Sequence, residues 1–214
     1  MVIIIGNQKG GAGKSTLTLL LANFLTQVKE IKVTVVDMDY QQSLAQKYEK
    51  SKVLENIAPY EVIAAELEHF PVINKLMAEK PKEVLLIDLP GKLDDDGLIP
   101  IFKAADLVIC PFAYDEFSYE STILFSVVLR QINKSSVIYY VPNRVKANVR
   151  YETQQDVNTQ LLKIGKLAPP IPDRIDFQRT NTFMTPLAVV PIILSVFEPV
   201  YEEIKKMLPA PANR

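Results

Sequence analysis

Gly6-Asn7-Gln8-Lys9-Gly10-Gly11-Ala12-Gly13-Lys14-Ser15-Thr16 stands between a short apolar run, Val2 to Ile5, and a leucine-rich stretch that begins at Leu17. The chain has only seven glycines, and four of them, Gly6, Gly10, Gly11 and Gly13, fall in this one segment. Without Cβ atoms, the backbone N–H groups of Gly10, Gly11, Ala12 and Gly13 can converge on an anion, and a helix starting at Lys14 adds further donors and the positive end of its dipole. A strand, a glycine-rich bend and a helix in that order therefore predict a phosphate cradle. Lys14 then reaches the terminal phosphates, Ser15 offers its hydroxyl to a Mg²⁺ ion, and Thr16 adds a phosphate contact from the first helical turn.

Working outward, short aliphatic runs recur at Val2 to Ile5, Lys32 to Val36, Glu83 to Ile87, Leu107 to Cys110 and Val137 to Val141, with a weaker one at Tyr60 to Ile63. Their apolar residues are nearly continuous, as in strands covered on both faces. Helical patterns fall between them at Lys14 to Gln27, Gln42 to Glu49, Ala64 to Glu79 with a break at Pro71, Ser118 to Gln131, Arg150 to Ile164 and Leu194 to Met207. The alternation predicts an α/β fold, a mostly parallel central sheet with helices on both faces. With 214 residues, 48% of them apolar, the chain reads as a single domain over residues 1–214.

A net charge of -1 excludes a polycationic surface, so any nucleic-acid contact must come from a local patch. Cys110 and His69 are each the only residue of their type, which removes disulfide scaffolds and zinc modules and points to a reducing compartment, the cytoplasm. The run Leu187 to Leu194 contains Pro191 and is far shorter than the ~20 residues of a bilayer-spanning helix.

Ligands of open α/β sheets gather at the carboxyl ends of the strands. Acidic residues stand at two such ends: Asp37-Met38-Asp39-Tyr40-Gln41-Gln42 after the second main strand, and Asp88-Leu89-Pro90-Gly91 after the third. A Mg²⁺ ion held mostly by phosphates and water needs only one or two carboxylates, so Asp37 and Asp88 are candidates beside Ser15. The later run Asp94-Asp95-Asp96 reads as a solvated loop or a helix start.

The common phosphate-loop pattern G-x-x-x-x-G-K-[ST] fails here at its first position, where Gln8 stands. The sequence from Lys9 to Ser15 instead follows K-G-G-x-G-K-[ST], and in this it resembles the ParA/MinD family of P-loop ATPases. The likeness continues through the Asp37 and Asp88 segments, through Ala105 to Pro111 and through Val141-Pro142-Asn143-Arg144-Val145, so it spans essentially the whole chain. It implies the P-loop NTPase fold, with ATP and Mg²⁺ as ligands and ATP hydrolysis as the activity. By the same resemblance Lys9 reaches across a nucleotide-sandwich homodimer to the partner's phosphates. Asp39 positions the attacking water, Asp88 holds a water of the Mg²⁺ shell, Asn143 contacts the adenine, and Pro172 packs on it. Tyr40 departs from the family's usual switch I, which has proline there.

For the biological output, the resemblance is to small single-domain ParA proteins, which implies DNA partition through nonspecific DNA binding, a small ParB-like DNA-binding adaptor and a nucleoid-associated cytoplasmic location. Lys134, Arg144, Lys146, Arg150, Lys163 and Lys166, against Glu152 and Asp156, are the local basic candidates. A MinD-like membrane helix is disfavoured by the mixed charge and prolines of Tyr201 to Arg214, and nothing precedes the first strand that could form an extra DNA-reading module. The alternatives are a cargo-positioning ATPase that does not bind DNA and an ATP-using small-molecule ligase.

Overall fold

The structure, a computed structural model, describes residues 1–52 and 58–209. The end of the C-terminal segment, residues 210–214, lies outside the described residues. The chain runs β1 (Val2–Ile5), α1 (Lys14–Asn23), β2 (Val33–Asp37), α2 (Ser43–Lys52), β3 (Glu61–Ala64), α3 (Phe70–Ala78), β4 (Val84–Asp88), α4 (Leu98–Ala104), β5 (Leu107–Phe112), α5 (Glu116–Ile132), β6 (Val137–Pro142), α6 (Gln154–Leu162), β7 (Lys166–Leu167) and α7 (Val190–Met207). The seven strands form one sheet in the order β3-β2-β4-β1-β5-β6-β7. All neighbours are parallel, so every strand points its carboxyl end to the same edge.

Alternation along each strand divides the core in two. Ile3, Ile5, Val33, Val35, Leu107 and Ile109 face α1, α2 and α7, meeting Leu17, Leu20, Leu44, Phe197 and Val200. Val2, Ile4, Leu85, Ile87, Val108 and Cys110 face the other way, onto α3, α4, α5 and α6 through Phe70, Phe102, Phe125 and Leu161. Cys110 is thus a buried apolar filler, and burial pushes its thiol pKa upward.

Three departures from the sequence reading have local causes. The predicted break at Pro71 is instead the start of a helix: a short 3₁₀ turn over Leu67–His69 leads into α3, and Pro71 occupies its first turn, where a missing N–H costs nothing. The first helix ends at Asn23 and continues as a π-helical turn over Phe24–Val28, in which the Lys29 N–H donates to the Phe24 carbonyl at 3.2 Å. Helix α4, whose start the run Asp94-Asp95-Asp96 allows, and the two-residue strand β7 are not predicted as elements in the sequence reading, because each is too short to show a period.

Candidate functional site

β1 lies between β4 and β5, and β4 between β1 and β2, so the loops after β1, β2 and β4 meet at one edge. Register makes this concrete: Asp88 pairs with Ile5 on one side and with Asp37 on the other. The glycine-rich loop, Asp37 and Asp88 therefore converge, as the sequence reading expects.

Within the loop, Gly11 and Gly13 have φ of +74° and +93°, conformations that side chains resist. Gly13 carries a second constraint: a Cβ there would lie 2.2 Å from Asn143 Nδ2. Asn143 reaches the loop because Gly13 leaves it room. Its Nδ2 donates to the Ala12 carbonyl at 2.8 Å, and its Oδ1 accepts the Arg144 N–H at 3.0 Å. The amide expected at the nucleobase thus braces the phosphate loop from β6. Thr16, Asn143 and Pro172 nonetheless share a cleft with Gly13, Asp173 and Gln178. Its volume is about 40 Å³, narrower than the ~300 Å³ or more of a typical ligand pocket.

Lys14 is buried at the start of α1, and the bare α-carbon of Gly91 faces it: a Cβ on Gly91 would sit 3.5 Å from both Lys14 Nζ and the Gly10 nitrogen. The loop after β4 therefore touches the phosphate loop directly. Lys9 is different. Its ammonium lies on the rim, 2.6 Å from Asp115 Oδ1, with the two side chains 36% and 48% exposed. Asp115 is the N-cap of α5, accepting the Ser118 N–H at 2.9 Å. Although partial burial acts to raise its pKa, the Lys9 ammonium and the Ser118 N–H hold the Asp115 carboxyl below its ordinary value. Sequence reasoning passes over Asp115, and the available signal is its place as a capping residue before Glu116.

The carboxylates divide by task. Asp37 is fully buried; Oδ2 accepts the N–H groups of Leu44 at 2.9 Å and Ala45 at 3.0 Å, and Oδ1 that of Asp39 at 3.2 Å. It caps α2 from the end of β2. Burial raises its pKa, and those three N–H groups pull it back. Asp88 is equally buried, yet neither oxygen has a hydrogen-bond partner among the described residues. Burial pushes its pKa up to about 7, with the Asp37 charge adding to the rise and the Ser15 hydroxyl and Lys14 ammonium opposing it. A buried carboxylate with unmet oxygens beside a serine hydroxyl is a donor set that fits a hydrated cation shared with phosphates. No group of three or more His, Cys, Asp or Glu suited to hold a metal by itself occurs among the described residues. Asp39 lies in the next turn, its Oδ1 accepting the Gln41 N–H at 3.0 Å, and Tyr40 extends to Asp95, where its hydroxyl donates to Oδ2 at 3.0 Å.

The six basic candidates do not form one patch. Arg144, Lys146 and Arg150 follow the carboxyl end of β6, on the edge of the phosphate loop, whereas Lys134 precedes β6 and Lys163 and Lys166 lie at or before the start of β7. A strand of this length sets the two groups roughly 20 Å apart. Lys166 is paired with Glu203 at 2.7 Å. No helix among the described residues is long and apolar enough to cross a membrane.

The profile of the CobQ/CobB/MinD/ParA nucleotide binding domain matches residues 3–187. No curated protein matches. Among solved structures, a candidate plasmid partition protein from Borrelia burgdorferi B31 bound to AMPPNP is similar at 22% identity, over 97% of this chain and 99% of that one, with a TM-score of 0.72. The Aquifex aeolicus MinC:MinD cell division complex is similar at 17% identity, over 100% of this chain and 98% of that one, with a TM-score of 0.73. A Cyanothece McdA variant in complex with ATP is similar at 17% identity, over 99% of this chain and 98% of that one, with a TM-score of 0.72.

Proposed function

The chain belongs to the CobQ/CobB/MinD/ParA nucleotide-binding family, and from that premise we propose that it is a Mg²⁺-dependent ATPase that dimerises when loaded with ATP and serves DNA partition. The observation that carries the reading is the unequal setting of its two loop lysines. Lys14 is buried against the loop after β4, while Lys9 stands at the rim on a partly exposed ion pair. One ammonium is placed for the nucleotide of its own subunit. The other is free to exchange Asp115 for a phosphate on a second copy, because a rim ion pair is worth only about 0–1 kcal/mol.

Bound Mg²⁺ supplies charge neutralisation at the β- and γ-phosphates. Ser15 and Asp88 are the residues that would hold it, while Asp37 supports the site from the second strand by fixing α2. The backbone of Gly10, Gly11, Ala12 and Gly13 cradles the phosphates, with Thr16 adding a contact. Lys14 and the partner's Lys9 balance the charge that develops on the transferred group, and Asp39 orients the attacking water. The adenine enters beside Asn143 and Pro172, whose cleft must widen to admit it. Nonspecific DNA, a ParB-like adaptor and a cytoplasmic, nucleoid-associated location complete the proposal. The similar structures, a candidate plasmid partition protein bound to AMPPNP, an McdA variant in complex with ATP and a MinC:MinD cell division complex, share its fold and support the reading at that level.

The test is sedimentation with ATP and Mg²⁺. The wild-type chain should shift to a dimer, and Lys9→Ala should bind nucleotide yet remain monomeric and lose turnover. An unchanged ATP dimer in Lys9→Ala would reject the assignment.

A further inference from the structure

We propose that Tyr40 is a positioning residue: its hydroxyl, through Asp95, ties the loop after β2 to the loop after β4 and so holds Asp39 in register with the Asp88 segment. The inference rests on the ATPase reading above for its catalytic consequence, though not for the tie itself.

The two loops leave adjacent strands and are joined at their roots, where the Met38 N–H donates to the Asp88 carbonyl at 3.0 Å. Beyond that point they part around a cavity of about 520 Å³ whose lining includes Asp39, Glu66, Leu67 and Gly97. Tyr40 and Asp95 are both in that lining, and the Tyr40 hydroxyl donates to Asp95 Oδ2 at 3.0 Å. Among the described residues, these two hydrogen bonds are the ones that join the loops.

Both ends of the tie are anchored. Asp95 Oδ1 accepts the Gly97 N–H at 2.8 Å and its carbonyl accepts the Leu98 N–H at 3.1 Å, which fixes it at the start of α4; that helix is seated in the core by Leu98, Ile101 and Phe102. Tyr40 sits at the tip of a tight turn in which the Gln42 N–H donates to the Asp39 carbonyl at 2.9 Å and Gln42 has φ of +47°. The Tyr40 residue is 62% exposed, so packing does not explain an aromatic residue here. Its polar end does. A proline, usual at this place in the resembled switch I, has no hydroxyl, so the tie belongs to this chain's own sequence. Asp39 lies between the root and the tip, and losing the tip leaves its turn held only where it joins β2 and α2, through Asp37.

Tyr40→Phe removes the hydroxyl alone. In nucleotide-free protein, amide hydrogen exchange over residues 38–46 should accelerate in Tyr40→Phe. In steady-state hydrolysis, kcat should fall about three- to fivefold, the scale of one partly exposed hydrogen bond to a carboxylate, with KM for ATP unchanged. Asp95→Ala also removes the Gly97 contact, so the pair is isolated by a double-mutant cycle: adding Tyr40→Phe to Asp95→Ala should change neither readout further. Unaltered exchange in Tyr40→Phe, or additive effects in the cycle, overturns the proposal. Absence of ATP turnover in the wild-type chain overturns the ATPase reading instead, and the exchange measurements still decide the tie.

Discussion

Asp88 shows how burial can shift the titration of one side chain. Its carboxyl is fully buried, has no hydrogen-bond partner among the described residues, and has a pKa pushed up from 3.8 to about 7. A carboxyl whose folded pKa exceeds its unfolded value stabilises the fold fully below the unfolded pKa and loses that contribution as pH rises through the folded one. Nucleotide-free protein should therefore lose stability between about pH 4 and about 7, by at most on the order of 4 kcal/mol. Thermal unfolding near pH 5 and near pH 8 checks this: Asp88→Asn, which cannot ionise, should gain on the wild type by several degrees at the higher pH and little at the lower. Parallel pH curves for the two proteins would show that Asp88 is not the source. At Asp39 the expectation is kinetic. On the proposed ATPase reading, Asp39→Ala removes the carboxylate assigned to the attacking water but no phosphate ligand, so single-turnover hydrolysis should slow about 10- to 100-fold while the ATP-bound dimer accumulates.

Elements explain why some of this was legible in the sequence and some was not. The long buried strands and α1 could be read because continuous aliphatic runs and a glycine-rich bend have few other uses in a folded chain. Lys14 follows from the glycine-rich bend and the helix start after it, and Asp88 from its place at a strand end. Asn143 and Lys9 do not, since their partners, Ala12 and Asp115, lie 131 and 106 positions away in the chain. The start of α2 is a similar case. Asp37, on a different element, fills the role that a local cap ordinarily takes, and Leu44 and Ala45 give no local hint of it. Asp37→Ala should consequently cost about 1–3 kcal/mol in denaturant unfolding, because it leaves two buried N–H groups unmet. Asp37→Asn, which keeps one acceptor, should cost less. The same variant pair separates the cap from any part Asp37 has beside the metal, since Mg²⁺-dependent nucleotide affinity is read independently of stability.

On the scale of the whole molecule, the parallel sheet sorts charge as well as loops. Lys134 and Lys163 lie toward the amino ends of the strands, away from the phosphate loop, and Lys166 shares the Glu203 carboxylate with Lys206. If the ATP dimer retains duplex DNA through about four phosphate contacts from paired copies of that edge, affinity should drop roughly a hundredfold between about 50 and 200 mM salt. Lys134→Glu with Lys163→Glu should abolish retention without altering ATP turnover, and gel retardation of random-sequence duplex with ATP decides it. The order of the sheet carries one more consequence. β1, made before every other strand of the sheet, has its two neighbours in β4 and β5, so its hydrogen bonding is completed only by residues as late as Ile109. During synthesis the phosphate loop therefore emerges long before anything can hold its shape, and the nascent chain must keep the aliphatic run Val2 to Ile5 unpaired until β5 has been made.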